Sequence, residues 1–217
     1  MTALNAFVER DAVHIATDGA TYRRDGRMHG YMNKTALMPH LNAAVANRGM
    51  AGTLAKLVTR LQGAETFDGM IDSLAARLAP VVMFDTFEAV IAGWSDRGGP
   101  EAYIVSPVRK FTRGVNITKI PMGDGYFAPS DAGLAERCER RGVRLDTVQP
   151  ELDASLIMDA QRVAHDDRRF FNKRAVGVGG FCQLTTVTKD QTITRVLGGW
   201  PDAVGEVIQP ALTVSPQ

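Results

Sequence analysis

The chain has 217 residues, 45% of them apolar and 23% charged, which suits one globular domain with a sizeable core. The formal net charge of +1 gives no electrostatic reason to expect binding to nucleic acid or to a membrane surface. No apolar run approaches the roughly 18 residues needed to span a bilayer, and the opening MTALNAFVERD lacks the features of a signal peptide. Two cysteines and four histidines show no metal-type spacing, so we expect a cytoplasmic protein without a metal or another cofactor.

The first predicted elements are two short strands over residues 2–9 and 12–18, joined by a tight turn. The second strand ends at Asp18 and Gly19, a pair that is common in turns. The polar stretch YRRDGRMHG that follows indicates a loop. His14 stands between two apolar neighbours, and we expect it to be half exposed on its strand.

A further strand is predicted over residues 41–47, and two helices come after it. Apolar residues recur with helical spacing over residues 50–61 and again from about Thr66 to Ala79. Thr66 is the expected N-cap of the second helix, and Pro80 is expected to end that helix.

The apolar period then changes to that of strands. Residues 87–95 and 101–107 flank a turn rich in Gly and Pro, which predicts a β-hairpin. Residues 108–130 are expected to form a loop that contains one strand at Val115–Ile120.

The last third of the chain predicts two helices and a second hairpin. The helices are expected over residues 131–140 and 151–166, and the hairpin strands over 181–188 and 192–197. The tail from Trp200 onward is expected to lie across the surface. Helices grouped between antiparallel hairpins indicate a layered α+β sandwich rather than alternating βαβ units.

Several segments, and the order of the elements, resemble proteasome β-subunits and the bacterial proteasome-like peptidases. TALNAFVERDAVHIATDGATY resembles the opening of that family, in which a nucleophilic Thr begins the mature chain. Asp18 follows Thr2, and Lys34 follows Asp18, at equal intervals that match the spacing of the family's active-site Asp and Lys. FEAVIAGWSDRGGPEAYIVSP resembles the family's central hairpin, and KRAVGVGGFCQLTTVTKDQ resembles the segment after a long helix, where a Gly-Gly pair leads into the final hairpin. The resemblance covers residues 2–107 and 150–198.

The resemblance implies an α+β fold, namely the four-layer αββα sandwich of N-terminal-nucleophile hydrolases. We therefore expect a single proteasome-like domain over residues 1–217, with residues 200–217 as a C-terminal tail. It also implies a peptide or amide substrate and assembly into a homo-oligomer, with no nucleic-acid or membrane partner.

In this family one residue supplies both the nucleophile and the base. The Thr2 hydroxyl would attack an amide carbonyl and form an acyl-enzyme, while the Thr2 α-amine would accept the hydroxyl proton. This requires removal of Met1, which a small second residue favours, and we expect no longer propeptide. Lys34 would lower the pKa of the hydroxyl and amine, and Asp18 would hold Lys34 in place.

The oxyanion of the tetrahedral intermediate would need backbone N–H donors, for which Arg48 and Gly49 are both candidates. The sequence departs from the family before the Gly-Gly pair. Active members place an Asp and a Ser there, whereas this chain has Ala175 and Val178, whose side chains form no hydrogen bonds.

Each site residue also has a simpler interpretation. Thr2 is then only the second residue of a disordered start, Asp18 a turn former and Lys34 a solvated loop lysine. His165, with two aspartates after it, fits a helix C-terminus better than a metal site. Because Ala175 and Val178 lack the family's supporting side chains, the alternative function is a catalytically inactive proteasome-like subunit with a structural or assembly role.

Overall fold

The described part of the chain is mixed α/β, and its strands pair in antiparallel sheets. The structure, a computed structural model, describes residues 2–23, 25–50, 52–82, 85, 87–108, 114–163, 177–208 and 215–216. None of the helices in these ranges is both long and apolar enough to cross a membrane.

Hairpins and short helices follow one another along the chain. The strands are β1 (Leu4–Val8), β2 (Val13–Asp18), β3 (Ala20–Tyr22), β4 (Met28–Tyr31), β5 (Thr35–Met38), β6 (Ala43–Gly49), β7 (Phe87–Ser95), β8 (Gly99–Pro107), β9 (Val115–Ile120), β10 (Gly125–Ala128), β11 (Phe181–Val187), β12 (Thr192–Gly199) and β13 (Ser215–Pro216). The helices are α1 (Thr53–Leu61), α2 (Phe67–Asp72), α3 (Leu74–Val82), α4 (Leu134–Glu139) and α5 (Pro150–Arg162), and Pro39–Leu41 forms a turn of 3-10 helix.

Two larger sheets and one small one contain these strands. The six-stranded sheet has the order β10-β1-β2-β11-β12-β13, and the five-stranded sheet has the order β5-β6-β7-β8-β9. β3 and β4 form a separate two-stranded pair. The chain thus leaves the six-stranded sheet at the end of β2, passes through β3 and β4, and enters the five-stranded sheet at β5.

Alternation along the strands divides apolar residues between the two faces of each larger sheet. In β6, Ala44 and Ala46 join a cluster shared with β1 and β2, whereas Ala43 and Val45 join a cluster shared with α1, α2 and α3. Phe7 of β1 belongs to a third cluster, formed with α4 and α5. Each larger sheet therefore contributes to one cluster with the other sheet and to another with helices.

Most of the predicted hairpins and helices are confirmed. β1 pairs with β2, β7 with β8, and β11 with β12, each in antiparallel register. The predicted strand at Val115–Ile120 is β9, the strand predicted over 41–47 is β6, and the helix predicted over 50–61 is α1. These elements carry strong local signals, namely a two-residue or helical apolar period bounded by Gly or Pro.

Two predicted loops are wrong, because they contain strands that are stabilised by distant parts of the chain. YRRDGRMHG contains the end of β3 and most of β4, and Met28 of β4 packs with Ala20, Tyr22 and the distant Ile208. Within the predicted loop over 108–130, β10 pairs with β1 along its whole length. Neither strand has a strong period of its own, and each depends on a partner from another part of the chain.

The helix predicted from Thr66 to Ala79 is two helices, and Pro80 does not end the second. The break falls at Ser73, whose hydroxyl donates to the carbonyl oxygens of Gly69 (2.7 Å) and Met70 (3.3 Å). Such bonds compete with the helical backbone pattern. α3 continues through Pro80 to Val82, because its apolar face is buried against the five-stranded sheet.

The C-terminal segment after β12 is also different from the prediction, since it does not simply lie across the surface. Trp200, Asp202 and Ile208 are all buried. α5 is described to Arg162, and the remainder of the helix predicted to residue 166 lies outside the described residues, as does the His165 cluster.

His14 is buried rather than half exposed. One ring nitrogen, Nδ1, lies 2.9 Å from Thr186 Oγ1, and the other, Nε2, lies 3.2 Å from a Glu9 carboxylate oxygen. Burial lowers the pKa of His14, and attraction to Glu9 opposes that change. The contact with Thr186 comes from the neighbouring strand β11, which the local sequence around His14 does not indicate.

The N-cap of α2 gives a direct test of local stability. The Thr66 hydroxyl accepts a hydrogen bond of 3.0 Å from the Gly69 N–H, as the sequence predicted for this residue. Thr66→Ala should lower the free energy of unfolding by about 1 kcal/mol, because it leaves that donor without its partner. Thr66→Ser keeps the oxygen and should stay near the wild type in urea denaturation. Equal losses in the two variants would contradict a capping role.

Candidate functional site

The site begins where the chain enters β1. Thr2 precedes this strand and is 8% exposed, and the next residue, Ala3, is fully buried. The Ala3 N–H donates to Asp18 Oδ1 at 2.8 Å. The start of β1 is therefore tied to the end of β2 by a side chain as well as by the strand pairing.

Asp18 ends β2 with a fully buried carboxylate. Four donors point at it: Ala3 N–H and Lys34 Nζ reach Oδ1 at 2.8 and 2.7 Å, and Ala20 N–H and Gly179 N–H reach Oδ2 at 3.3 and 3.1 Å. A carboxylate offers about four acceptor positions, so its hydrogen-bonding capacity is nearly filled. This is far more than a turn-forming Asp requires, and Asp18 organises the surrounding backbone.

Lys34 supplies the cation of the site. It lies just before β5 and is 5% exposed, so it is not a solvated loop lysine. Burial lowers the pKa of its ammonium, and the attraction and hydrogen bond from Asp18 act in the opposite direction. Asp18 belongs to the six-stranded sheet and Lys34 leads into the five-stranded sheet, so their ion pair joins the two.

The two oxyanion candidates lie at the end of β6, close to Lys34. Asn47 N–H donates to the Lys34 carbonyl oxygen at 3.4 Å, and Arg48 and Gly49 are the next two residues. The Arg48 guanidinium contacts Glu88 of the neighbouring strand at 3.2 Å. Gly49 has a φ of +146°.

A second buried ion pair lies behind the Gly179 amide, and the sequence interpretation missed it. Arg162 at the end of α5 and Asp202 beyond β12 form two hydrogen bonds of 2.9 and 3.0 Å, and both side chains are almost completely buried. The Trp200 ring lies against the guanidinium, 4.9 Å from centroid to Cζ. The paired residues are 40 positions apart, so no local spacing could reveal them.

The structure brings the Asp18 and Lys34 side chains into contact. Thr2 lies two residues before the first residue of β1, Leu4. Among the described residues, no hydrogen bond joins the Lys34 ammonium to the Thr2 hydroxyl. Val178 is buried and offers no polar side chain, while Ala175 and Met1 lie outside the described residues. Across the described ranges, no group of three or more His, Cys, Asp and Glu side chains has the arrangement of a metal site.

No family model matches this chain, and no curated protein matches it significantly.

Proposed function

We propose that this protein is an N-terminal-threonine amide hydrolase of the proteasome-like type. The observation that carries the proposal is the buried Asp18–Lys34 ion pair beside the entry of β1, with Asp18 also bonded to the amide of Ala3. Burying the Lys34 ammonium costs free energy, because desolvation disfavours its charged form, and the Asp18 carboxylate offsets that cost at the start of β1.

The packing supports the same proposal at the level of the fold. Two antiparallel sheets share one apolar cluster, and each shares a further cluster with helices. We therefore propose a four-layer αββα sandwich of the N-terminal-nucleophile hydrolase type, with the whole chain as one domain. A peptide or amide substrate, a homo-oligomer and a cytoplasmic location belong to the same proposal.

The proposed reaction starts when Met1, with anything before it, is removed and Thr2 gains a free α-amine. The neutral amine accepts the proton of the Thr2 hydroxyl as Oγ1 attacks the amide carbonyl carbon. The tetrahedral intermediate then collapses, the C–N bond breaks, and the leaving amine takes the proton. Water hydrolyses the resulting ester and restores the hydroxyl.

Lys34 and Asp18 would prepare Thr2 for this chemistry. The Lys34 ammonium would favour the alkoxide form of the hydroxyl and the neutral form of the amine by electrostatic attraction and repulsion, respectively. Asp18 acts through Lys34, because it fixes the position of the ammonium and compensates its charge. Its three backbone donors hold it in one orientation.

The strand geometry favours Gly49 over Arg48 as the oxyanion donor. Successive N–H groups of a strand point to opposite edges, and the Asn47 N–H points toward Lys34. The Arg48 N–H then points toward β7, where Arg48 is directly opposite Glu88. The Gly49 N–H returns to the Lys34 side and is the better placed of the two.

Val178 favours the second candidate function, a non-catalytic proteasome-like subunit. It occupies a buried position before the Gly-Gly pair, where active relatives of the proposed family carry a hydroxyl. In that case the Asp18–Lys34 pair would only join the two sheets.

Intact mass spectrometry and a peptide vinyl sulfone together test the proposed function. The purified protein should have lost Met1 and should gain the mass of one adduct, located on Thr2 by peptide mapping. The labelling rate should rise with pH and level off below about 7.7–8.0, the ordinary pKa of an α-amine, because the Lys34 ammonium favours the neutral amine. The matched control carries a short uncleaved extension before Met1, which turns the Thr2 nitrogen into an amide and should prevent labelling.

A protein that shows a free Thr2 amine, yet gives no adduct and no hydrolysis of a peptide library, would support the non-catalytic subunit instead.

A further inference from the structure

The segment Val178–Gly180 is held on one side by the predicted active site and on the other by a buried ion pair. On the site side, Gly179 N–H donates to Asp18 Oδ2 at 3.1 Å. The Gly179 carbonyl oxygen accepts from Gly19 N–H and Ala20 N–H at 3.1 and 2.9 Å. These three bonds connect the segment to the end of β2.

On the opposite side, the same segment is bonded to Arg162 and Asp202. Arg162 Nη1 donates to the Val178 carbonyl oxygen at 2.8 Å, and Gly180 N–H donates to Asp202 Oδ2 at 2.8 Å. The two hydrogen bonds between Arg162 and Asp202 lock these contacts together. The ion pair thereby holds the peptide units before and after Gly179, through the Val178 carbonyl oxygen and the Gly180 N–H.

The two glycines fit this arrangement closely. A Cβ on Gly179 would lie 2.5 Å from Asp202 Oδ2, and Gly180 has a φ of +80°, which L side chains rarely adopt. The backbone approaches Asp202 more closely than any side chain would allow. The Gly-Gly pair is therefore required by the ion pair behind it as well as by the turn into β11.

We propose that Arg162 and Asp202 are positioning residues that aim the Gly179 N–H at Asp18 and so fix the Asp18–Lys34 pair. They act through the backbone and touch neither Thr2 nor Lys34 in any contact that the described residues show. An effect of these residues on catalysis rests on the proposed function, but their effect on the position of the Gly179 N–H does not. The site is thus supported by a backbone donor, the Gly179 N–H bonded to Asp18, whereas the apolar side chain of Val178 can donate no hydrogen bond.

The test follows the Gly179 amide by NMR in ¹⁵N-labelled protein. One variant, Asp202→Asn, removes one charge of the ion pair, and a second, Arg162→Met with Asp202→Leu, removes both charges of the pair. In each variant, hydrogen exchange at Gly179 should accelerate relative to the wild type. This acceleration should be at least about tenfold larger than the acceleration at the Ile15 amide in the middle of β2. The Gly179 amide proton should also lose the downfield shift of a bond to a carboxylate.

Two comparisons make the result specific to positioning. A structural role alone would speed exchange at Gly179 and Ile15 equally, and this outcome would overturn the proposal, as would an unchanged Gly179 in the double variant. Lys119→Met breaks an ion pair of 2.6 Å with Glu101 on the five-stranded sheet and serves as the matched control. It should leave the Gly179 amide unchanged, and an equal effect there would also overturn the proposal.

Kinetics separate this inference from the proposed function. If amide hydrolysis is established through Thr2, the double variant should lower kcat by at least about tenfold with KM within about twofold of the wild type. If kcat/KM falls by a similar factor because KM rises while kcat is unchanged, the result would contradict positioning of the Asp18–Lys34 pair. If no hydrolysis is found, the proposed function fails, and the NMR experiment still decides whether Arg162 and Asp202 position Gly179.

Discussion

Replacing Thr2 with alanine should abolish amide hydrolysis, lowering kcat/KM by at least about 10³-fold, because the proposed reaction has no other nucleophile. Alanine is as acceptable as threonine to the enzymes that remove an initial Met, so the variant should still present a free α-amine. Only the hydroxyl is lost. The fold should be unaffected, since the hydrogen bond to Asp18 comes from the Ala3 backbone.

The matched control for this experiment is Thr2→Ser, which keeps both the hydroxyl and the amine. It should retain measurable hydrolysis and should form the same covalent adduct. Initial rates on a peptide amide substrate, with intact mass and thermal midpoint measured on the same samples, distinguish chemistry from processing and folding. Unchanged rates in Thr2→Ala, with Met1 removed and the fold intact, would rule out the proposed nucleophile.

Asp18→Asn should lower the free energy of unfolding by about 3–5 kcal/mol, because it leaves the Lys34 ammonium buried without a counter-charge. It also weakens the acceptor for three backbone N–H groups. Lys34→Met should cost less, since the Asp18 carboxylate would keep those three donors. The double variant, Asp18→Asn with Lys34→Met, should be more stable than Asp18→Asn alone. Urea denaturation of the four proteins measures these differences.

The pH dependence of stability provides an independent check on Lys34. An unfolded lysine keeps its proton up to about pH 10.4, whereas folding lowers the pKa of Lys34. Between the folded and unfolded pKa values the unfolded state binds more protons, so this group makes stability rise with pH and fall as pH drops through the folded pKa. In Asp18→Asn the rise should begin at a lower pH, and in Lys34→Met this contribution should disappear. A stability profile that is the same in all three proteins would contradict the buried ammonium.

The hairpins could be predicted because each one contains its own pattern. β7 and β8, for example, are rich in apolar and aromatic residues and are joined by a turn that places Gly99 at a φ of +76°. β10 and the β3–β4 pair gave no comparable signal, since each is stabilised by a partner far along the chain. Pro80 shows the reverse case, in which burial of a helix face outweighs a local signal for termination.

The same contrast holds for the site. The spacing of Thr2, Asp18 and Lys34 suggested the site, and the structure shows a hydrogen bond between Asp18 and Lys34. Arg162 and Asp202 come from the end of a helix and from a predicted surface tail, so nothing in either local sequence indicates that they meet. Buried ion pairs between distant segments depend on tertiary packing, which a single sequence does not display.

The burial of Thr2 and Ala3 has a consequence for the order of events during synthesis. An aminopeptidase needs an extended, accessible N-terminus, whereas in the folded protein the residues beside the first peptide bonds are covered and Ala3 N–H is bonded to Asp18. If Met1 is removed as the proposed function requires, its removal would therefore compete with the docking of β1 between β2 and β10. We expect slow folding or delayed release from the ribosome to raise the processed fraction, so that the timing of folding sets how many molecules carry a free threonine.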